Sequence, residues 1–299
     1  MRQIGIVVAA ACLGALAGCG GGGGAPEPDA GVIAAMRAGP AAAVPAGGVS
    51  AEELKRHIRT LSSDEFEGRA PTTPGGEKAR SYIAAEYQRL GLAPVGASYF
   101  HDVPMVESTL DPAQSFLRID VKGTARDLAY KAEAVFGTKR AEPDVAFDGS
   151  DMVFAGYGVV APEHQWNDYE GIDVKGKTVV ILVNDPGFLT NDETLFGGKA
   201  MTYYGRWTYK YEEAARQGAA AALIVHDTVP AAYGWNVVEG SWSGAQIDLQ
   251  RTDNGASRAA LEGWITKETA ASLLSAAGLN LDELTAAANR RGFKAVPMT

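Results

Sequence analysis

The chain has 299 residues, 46% of them hydrophobic, which is enough for one large domain or two ordinary ones with real cores. Its formal net charge of -9, with no long cluster of Lys and Arg, argues against a nucleic-acid partner. The two cysteines, Cys12 and Cys19, both lie near the N-terminus. The folded body can therefore hold neither a disulfide nor a thiolate metal site.

A targeting segment and a tether are predicted before residue 50. A positive start is followed by an apolar run over 4–16, too short to span a bilayer, and by small residues before Cys19. This pattern resembles a lipoprotein signal peptide over 1–18. The resemblance implies acylation of Cys19 and a lipid-anchored protein of the cell envelope, on its periplasmic or extracellular face. The alternative is an ordinary signal peptide, or an apolar N-terminus that is not cleaved off.

Residues 19–49 are rich in Gly, Ala and Pro, which predicts a flexible tether.

Two amphipathic helices are predicted at the start of the folded body. The first spans 51–62, where Ser50 and Glu53 form a capping box and apolar residues recur at helical spacing. The second begins at Pro74, since proline is tolerated in the first turn, and stops at Gly91. Its predicted buried stripe consists of Ala79, Ile83, Tyr87 and Leu90.

Short strands are predicted next, between residues 99 and 121, followed by an edge strand within 127–137. The adjacent pair His101 and Asp102 suggests a site, but neighbouring side chains on a strand point to opposite faces. We therefore predict no site at this pair.

The central stretch from 151 to 227 is predicted to form an α/β unit. Residues 178–183 are a continuous apolar run between turn signals, which is typical of a fully buried strand, and 219–225 form a second such run. Between them, 208–217 predict a helix that stops at Gly218. The order strand, loop, strand, helix, strand indicates the α/β class.

Further elements are predicted after this unit. A short strand is expected at 263–265, and Thr266 is placed to cap a helix that reaches Ala277. Asn280 and Glu283 form a second capping box, for a helix that ends near residue 291.

Several segments of the central stretch resemble a known family. They are Phe154-Ala-Gly-Tyr-Gly, Asp168-Tyr-Glu-Gly-Ile-Asp-Val-Lys-Gly-Lys-Thr178 and Lys210-Tyr-Glu-Glu-Ala-Ala-Arg-Gln-Gly-Ala219. Together they resemble a protease-associated (PA) domain. More narrowly, with His226-Asp-Thr-Val-Pro-Ala-Ala-Tyr-Gly-Trp235, they resemble the PA domain inserted into bacterial zinc aminopeptidases of metallopeptidase family twenty-eight. The resemblance runs from about Glu52 to the C-terminus.

The resemblance implies a domain order. Residues 50–143 would be the N-terminal part of an aminopeptidase-like α/β domain, which opens with two helices and is incomplete here. Residues 144–265 would be the inserted PA domain, a β-rich α/β unit. Residues 266–299 would be helices that lead towards the missing catalytic domain. The expected fold class is α/β, with α+β character.

The family hydrolyses peptides with a water held between two zinc ions, on His, Asp and Glu ligands that begin with an Ala-His-x-Asp-His type motif. That motif is absent from this sequence. The four histidines, which are His57, His101, His164 and His226, show no metal-binding spacing. A Gly-x-Ser-x-Gly elbow, a phosphate loop and a complete dinucleotide fingerprint are also absent. We predict no catalytic residue, no metal ligand and no cofactor in this chain, and two zinc ions in the full-length family.

Three hypotheses remain open. The chain is the N-terminal part of an envelope zinc aminopeptidase, a stand-alone PA-domain lipoprotein that binds peptides or proteins without cutting them, or an unrelated periplasmic hydrolase or ligand-binding protein.

PA domains of related peptidases cover the active-site cleft, which implies candidate contacts to a peptide or protein substrate. Arginine suits a peptide carboxylate and aromatic rings supply apolar contact area; alternatively, these aromatic residues pack the domain core. The candidates are Arg206, Trp207, His226 and Trp235.

Overall fold

A computed structural model describes residues 50–298 of the chain, in two compact units, 50–103 and 104–298. The predicted signal peptide over 1–18, the acylation site Cys19 and the tether over 19–49 lie outside the described residues. Within 50–298, no helix is both long enough and apolar enough to cross a bilayer.

The unit 50–103 is built on the two predicted helices. They are α1, Ala51–Leu61, and α2, Pro74–Arg89, with a short 3-10 helix, Asp64–Arg69, between them. The Ser50 hydroxyl caps α1 by accepting the Glu53 N–H at 3.3 Å, and the Thr73 hydroxyl caps α2 by accepting the Gly76 N–H at 3.2 Å. Local capping chemistry therefore sets both helix starts, as the sequence predicted.

The predicted buried stripe of α2 is wrong at three of its four positions. Ala79 is buried, but Ile83, Tyr87 and Leu90 are 42%, 47% and 45% exposed. The buried face is centred on Tyr82 instead, because Phe66 of the connecting turn packs edge-on against that ring at 6.2 Å between centroids. Helical spacing identified an apolar face, but only the position of Phe66 decides which side of α2 is covered.

The unit 104–298 contains twelve strands and five further helices. The strands are β1 Met105–Thr109, β2 Arg118–Val121, β3 Thr124–Asp127, β4 Ala134–Gly137, β5 Met152–Phe154, β6 Val160–Ala161, β7 Trp166–Asn167, β8 Thr178–Leu182, β9 Ala221–His226, β10 Ala245–Leu249, β11 Leu261–Thr266 and β12 Val296–Pro297. The helices are α3 Trp207–Arg216, α4 Thr228–Ala231, α5 Trp235–Ser241, α6 Lys267–Ala276 and α7 Leu281–Ala288. His101 and Asp102 precede this unit, in a segment with no strand.

A six-stranded mixed sheet forms the centre of this unit, in the order β12-β5-β8-β9-β11-β4. The four inner strands β5, β8, β9 and β11 are parallel, and the two edge strands pair antiparallel. Every residue of β8 and β9 is buried, as expected for parallel strands covered on both faces. These two strands confirm the predicted apolar runs, and the mixed sheet with its helices confirms the α/β class.

Helices cover both faces of the sheet. Tyr211 and Ala214 of α3 and Val238 of α5 pack in one core cluster with Trp264 of β11. On the opposite face, α6 and α7 contribute to a second cluster. Thr266 caps α6 by accepting the Thr269 N–H at 3.1 Å, which confirms the predicted start of that helix. Each face has its own apolar core.

The predicted domain boundaries at 143/144 and 265/266 both fall inside the unit 104–298. Strand β4 lies before the first boundary, yet it pairs with β11, with Val135 opposite Trp264. Strand β12 lies after the second boundary and pairs with β5, with Val296 opposite Phe154. The segment 266–299, expected to consist of helices that lead towards the missing catalytic domain, packs on the sheet and supplies an edge strand. Edge pairing joins residues far apart in sequence, so local patterns carry no signal for it.

Candidate functional site

An edge cavity of about 310 Å³ lies at the carboxyl ends of β8 and β9. In open α/β sheets, ligands bind characteristically in the crevice outside the carboxyl ends of the strands. The walls of the edge cavity come from β8 and β9, from the loops that follow them, and from α6 and α7. The lining residues are Tyr157, Leu182, Val183, Leu189, Thr190, Val225, Asp227, Pro230, Lys267, Leu281, Asp282, Thr285, Ala286 and Asn289.

Most polar groups of the edge cavity already bind one another. Asp227 accepts a hydrogen bond from the Lys267 ammonium at 2.6 Å, and this bond raises the pKa of Lys267. The side-chain oxygen of Asn289, Oδ1, accepts the Gly187 N–H at 2.9 Å and lies 3.3 Å from the Tyr157 hydroxyl. The cavity therefore presents mainly apolar walls to an incoming ligand.

A buried lysine supports the loops behind this cavity. Lys210 of α3 is fully buried, and its ammonium donates to the carbonyl of Tyr157, after β5, at 2.6 Å and to the carbonyl of Asn184, after β8, at 2.8 Å. Two buried carboxylates, Asp185 and Asp168, supply the compensating negative charge. The lysine thus ties together the loops after two neighbouring parallel strands.

Burial shifts all three of these groups towards their neutral forms. It raises the pKa of Asp168, against hydrogen bonds from the Val159 N–H at 3.0 Å and the Trp166 indole N–H at 2.8 Å. It also raises the pKa of Asp185 and lowers the pKa of Lys210. The opposite charges counter each shift, so the charged forms of the three groups stabilise one another.

A second, aromatic cavity of about 260 Å³ lies on the face of the sheet that α3 and α5 cover. It is defined by four aromatic side chains from separate parts of the chain, with one cation and a few small groups. The lining residues are Lys139, Trp207, Tyr233, Val237, Val238, Ser241, Trp242, Gln246 and Trp264.

The aromatic residues around this cavity pack mostly edge-on. The Trp207 and Trp242 ring centroids are 6.1 Å apart, and Tyr211 lies 5.7 Å from Trp242. Trp264 of β11 is 1% exposed, and its indole N–H has no acceptor among the described residues. Such arrangements match the preferred geometry of aromatic pairs and hold the walls in fixed orientations.

The structure places the four candidate contacts differently. Trp207, 36% exposed, lines the aromatic cavity. His226 is 4% exposed and lies behind it, with ring centroids 5.9 Å from Tyr233 and 6.2 Å from Trp264. Burial lowers the pKa of His226, which favours the neutral ring, and its Nε2 lies 3.0 Å from the Tyr233 carbonyl. We interpret His226 as a packing residue of the core.

The other two candidates lie beside the cavity. Trp235 packs against His226 at 5.6 Å between centroids and donates its indole N–H to the Lys131 carbonyl at 2.6 Å. Arg206 is exposed, and its positive charge opposes the increase that burial produces in the pKa of Tyr233. Of the four candidates, only Trp207 lines the aromatic cavity, and His226 packs against the lining residues Tyr233 and Trp264.

Sequence reasoning missed Lys139, Gln246 and Trp264 as lining residues, and it missed the role of Lys210. Trp264 was placed on a strand, but a short apolar strand does not show which face meets a cavity. Lys210 did carry a signal, since it lies four residues before the buried Ala214, on the covered face of α3. A lysine at such a position requires buried partners.

Among residues 50–298, no group of three or more His, Cys, Asp or Glu side chains is arranged to hold a metal ion. The predicted absence of a metal site concerns the whole chain and stays a prediction.

Comparisons with known proteins give one result. No family model matches the chain, and no curated protein matches it. The aminopeptidase from Aneurinibacillus sp. strain AM-1 is a solved structure with weak likeness, at 20% sequence identity and a TM-score of 0.32. The match covers 76% of this chain and 40% of that protein. The structural neighbour is a peptidase.

Proposed function

We propose that this chain is the N-terminal and PA-domain portion of a zinc-dependent aminopeptidase of the cell envelope, and that its unit 104–298 binds peptide or protein substrate. One observation supports binding. The candidate contact Trp207 and Tyr233, from the segment 226–235 singled out for its resemblance, line one aromatic cavity with an exposed rim. Preformed cavities with apolar walls and a few polar groups are the usual form of binding sites.

In this proposal, peptide hydrolysis belongs to a segment outside this sequence. The two zinc ions of the family would supply an activated water and stabilise the charge that develops on the scissile carbonyl. The residues described here would bind and orient substrate beside that centre. Holding a substrate in a reactive geometry is a real contribution to rate, because it removes the entropy cost of bringing reactants together.

A binding and turnover experiment tests the proposal. The chain ending at Thr299 is expected to bind short phenylalanine-containing peptides in calorimetry, yet to release no chromophore from aminoacyl anilides with added zinc. Trp207→Ala should weaken peptide binding about tenfold, which is a loss of about 1.4 kcal/mol. Tyr203→Ala is the matched control, since Tyr203 is 58% exposed and does not line the cavity.

Two results would contradict the proposal. Chelator-sensitive turnover by this chain would show that it holds a metal site of its own. Absence of peptide binding, or equal binding by the two variants, would remove the aromatic cavity as a substrate site.

The same cavity supports a second candidate function, a stand-alone PA-domain lipoprotein that binds peptides or proteins without catalysis. The nucleotide sequence after the codon for Thr299 separates the two. A reading frame that continues into a His-x-Asp-His motif supports the peptidase, and an in-frame stop with no such motif supports the stand-alone binder.

Envelope anchoring is a separate prediction. Cys19→Ala is expected to move the protein from the membrane fraction to the soluble fraction, or to leave the precursor unprocessed, because the acylated thiol would be lost. Fractionation and intact-mass measurement check this, with Cys12→Ala as the control. Unchanged detergent partitioning and unchanged mass in the Cys19 variant would disprove the anchor.

A further inference from the structure

The walls of the aromatic cavity fit a ring. Trp207, Tyr233, Trp242 and Trp264 supply four aromatic surfaces, and Val237 and Val238 close the remaining side. Aromatic pairs gain attraction from edge-to-face contact beyond the area that they bury. The volume, about 260 Å³, lies just below the roughly 300–1,000 Å³ of pockets for drug-sized ligands. It therefore suits a group no larger than one aromatic residue.

The polar groups in the lining favour a negative rather than a positive partner. Aromatic cages commonly bind ammonium groups, but the lining of this cavity holds Lys139 and no carboxylate. The Lys139 ammonium is 3.8 Å from the Asp248 carboxylate, which is too long for a hydrogen bond. Its three N–H groups form no hydrogen bond with the described residues, so they can serve a ligand.

The charges around the lining do not reverse this preference. Asp248 faces Lys139, and the buried carboxylate of Glu262 is paired with Arg258 at 2.5 Å. Arg206 adds an unmatched positive charge near the Tyr233 phenol. The groups named here are three cations, Lys139, Arg206 and Arg258, and two carboxylates, Asp248 and Glu262.

The buried indole N–H of Trp264 is a separate feature of the cavity wall. It has no acceptor among the described residues, although an unpartnered buried donor costs about 1–3 kcal/mol. The nitrogen atom has almost no accessible surface, so a ligand in the cavity would contact the indole ring and not its N–H.

We propose that the aromatic cavity binds an aromatic carboxylate, with the ring against the Trp207 and Trp242 side chains and the carboxylate at the Lys139 ammonium. In a peptide, this ligand is a C-terminal Phe, Tyr or Trp residue with its free α-carboxylate. The extension to peptides rests on the proposed function, whereas binding of a small aromatic acid does not.

Three probes of matched shape test the proposal by calorimetry with the whole chain. They are 3-phenylpropionate, its neutral amide 3-phenylpropionamide, and the cation 2-phenylethylammonium. The acid is expected to bind at least about tenfold more tightly than the amide, because only the acid forms a charge-assisted hydrogen bond with Lys139. The cation is expected to bind most weakly of the three.

Two variants locate the site. Lys139→Met should weaken acid binding about tenfold and leave amide binding unchanged, and Lys175→Met is the control on an exposed lysine outside the cavity. Val237→Glu places a negative charge on the lining at a position that is 47% exposed, so the fold should tolerate it. This variant should weaken binding of the acid and strengthen binding of the cation.

Each contrary outcome is decisive. Equal affinity for acid and amide, preference for the cation, or loss of acid binding in both lysine variants would overturn the proposal. Binding of phenylalanine-containing tetrapeptides without binding of the acid would also overturn it, while the proposed function would stand. Binding of the acid without binding of any peptide would support the cavity as an aromatic-acid site and remove the proposed function.

Discussion

Lys210→Met is expected to lower the free energy of unfolding by about 3–5 kcal/mol, because it leaves buried carboxylates without their cation. Lys210 is fully buried and donates to the carbonyls of Tyr157 and Asn184. Its charge is the largest effect that favours the ionised form of Asp185 against desolvation, and for Asp168 it adds to the hydrogen bonds from Val159 and Trp166. Methionine keeps most of the volume and removes all of these interactions. Chemical denaturation followed by circular dichroism measures the loss.

The loss should grow as pH rises. A carboxyl group whose pKa is raised in the folded state binds protons more readily there than in the unfolded chain. It therefore favours folding at low pH, and this contribution is lost as pH rises through the folded value. Without Lys210 the pKa values of Asp168 and Asp185 rise further, so the deficit relative to the parent protein should increase as pH rises through the parent's folded values, which for Asp168 is about 7.

A rescue variant identifies charge as the cause. Asp185→Asn removes one buried negative charge and keeps an oxygen that can accept the Thr202 N–H, now bound at 2.6 Å. The double variant Lys210→Met/Asp185→Asn should recover part of the lost stability, and Lys199→Met, on the exposed surface, should change it by no more than about 0.5 kcal/mol. A deficit that is independent of pH and unaffected by Asp185→Asn would show that Lys210 acts through packing alone.

Trp264→Ala is expected to cost about 3–5 kcal/mol of unfolding free energy, because it removes one of the largest fully buried side chains of the fold. The indole lies on β11 between β9 and β4, with Ile224 and Val135 as its register partners. Alanine would leave a void beside the aromatic cavity that the paired strands cannot close.

Two comparisons make this result interpretable. Trp207→Ala removes the same side chain from a position that is 36% exposed, and it should cost about 1 kcal/mol or less. Trp264→Phe keeps a ring and removes the unpartnered indole N–H, so it should cost less than alanine. Equal losses for Trp207→Ala and Trp264→Ala would mean that burial of Trp264 does not support the sheet.

The unit 104–298 shows which elements local sequence patterns can predict. The strands β8 and β9 were predictable because continuous apolar runs between turn signals leave few other structures. The starts of α6 and α7 were predictable because Thr266 and Asn280 each satisfy a free N–H of the first turn. These signals act within a few residues, so they can be recognised without knowledge of the fold.

The candidate site was predictable only in part. The candidates Trp207 and Trp235 indicated a surface with ring side chains, and the structure places Trp207 in the lining of one cavity together with Trp242. The sequence did not separate Trp207, which lines the cavity, from His226, which is buried behind it. Lys139 comes from a segment assigned to another domain, so proximity in sequence could not bring it to this site.

The sequence by itself determined the types and approximate bounds of the main helices and strands, since caps, turn glycines and apolar periodicity act through neighbouring residues. Only the tertiary structure decided that β4 and β12 close the two edges of one sheet, that α2 is covered at Tyr82 and not along its predicted stripe, and that Lys210 and Lys139 lie beside their partners. The physical reason is common to these cases. Edge pairing, the choice of buried face and cavity lining depend on contacts between residues distant in sequence, and each contact forms only when the surrounding elements are already in place.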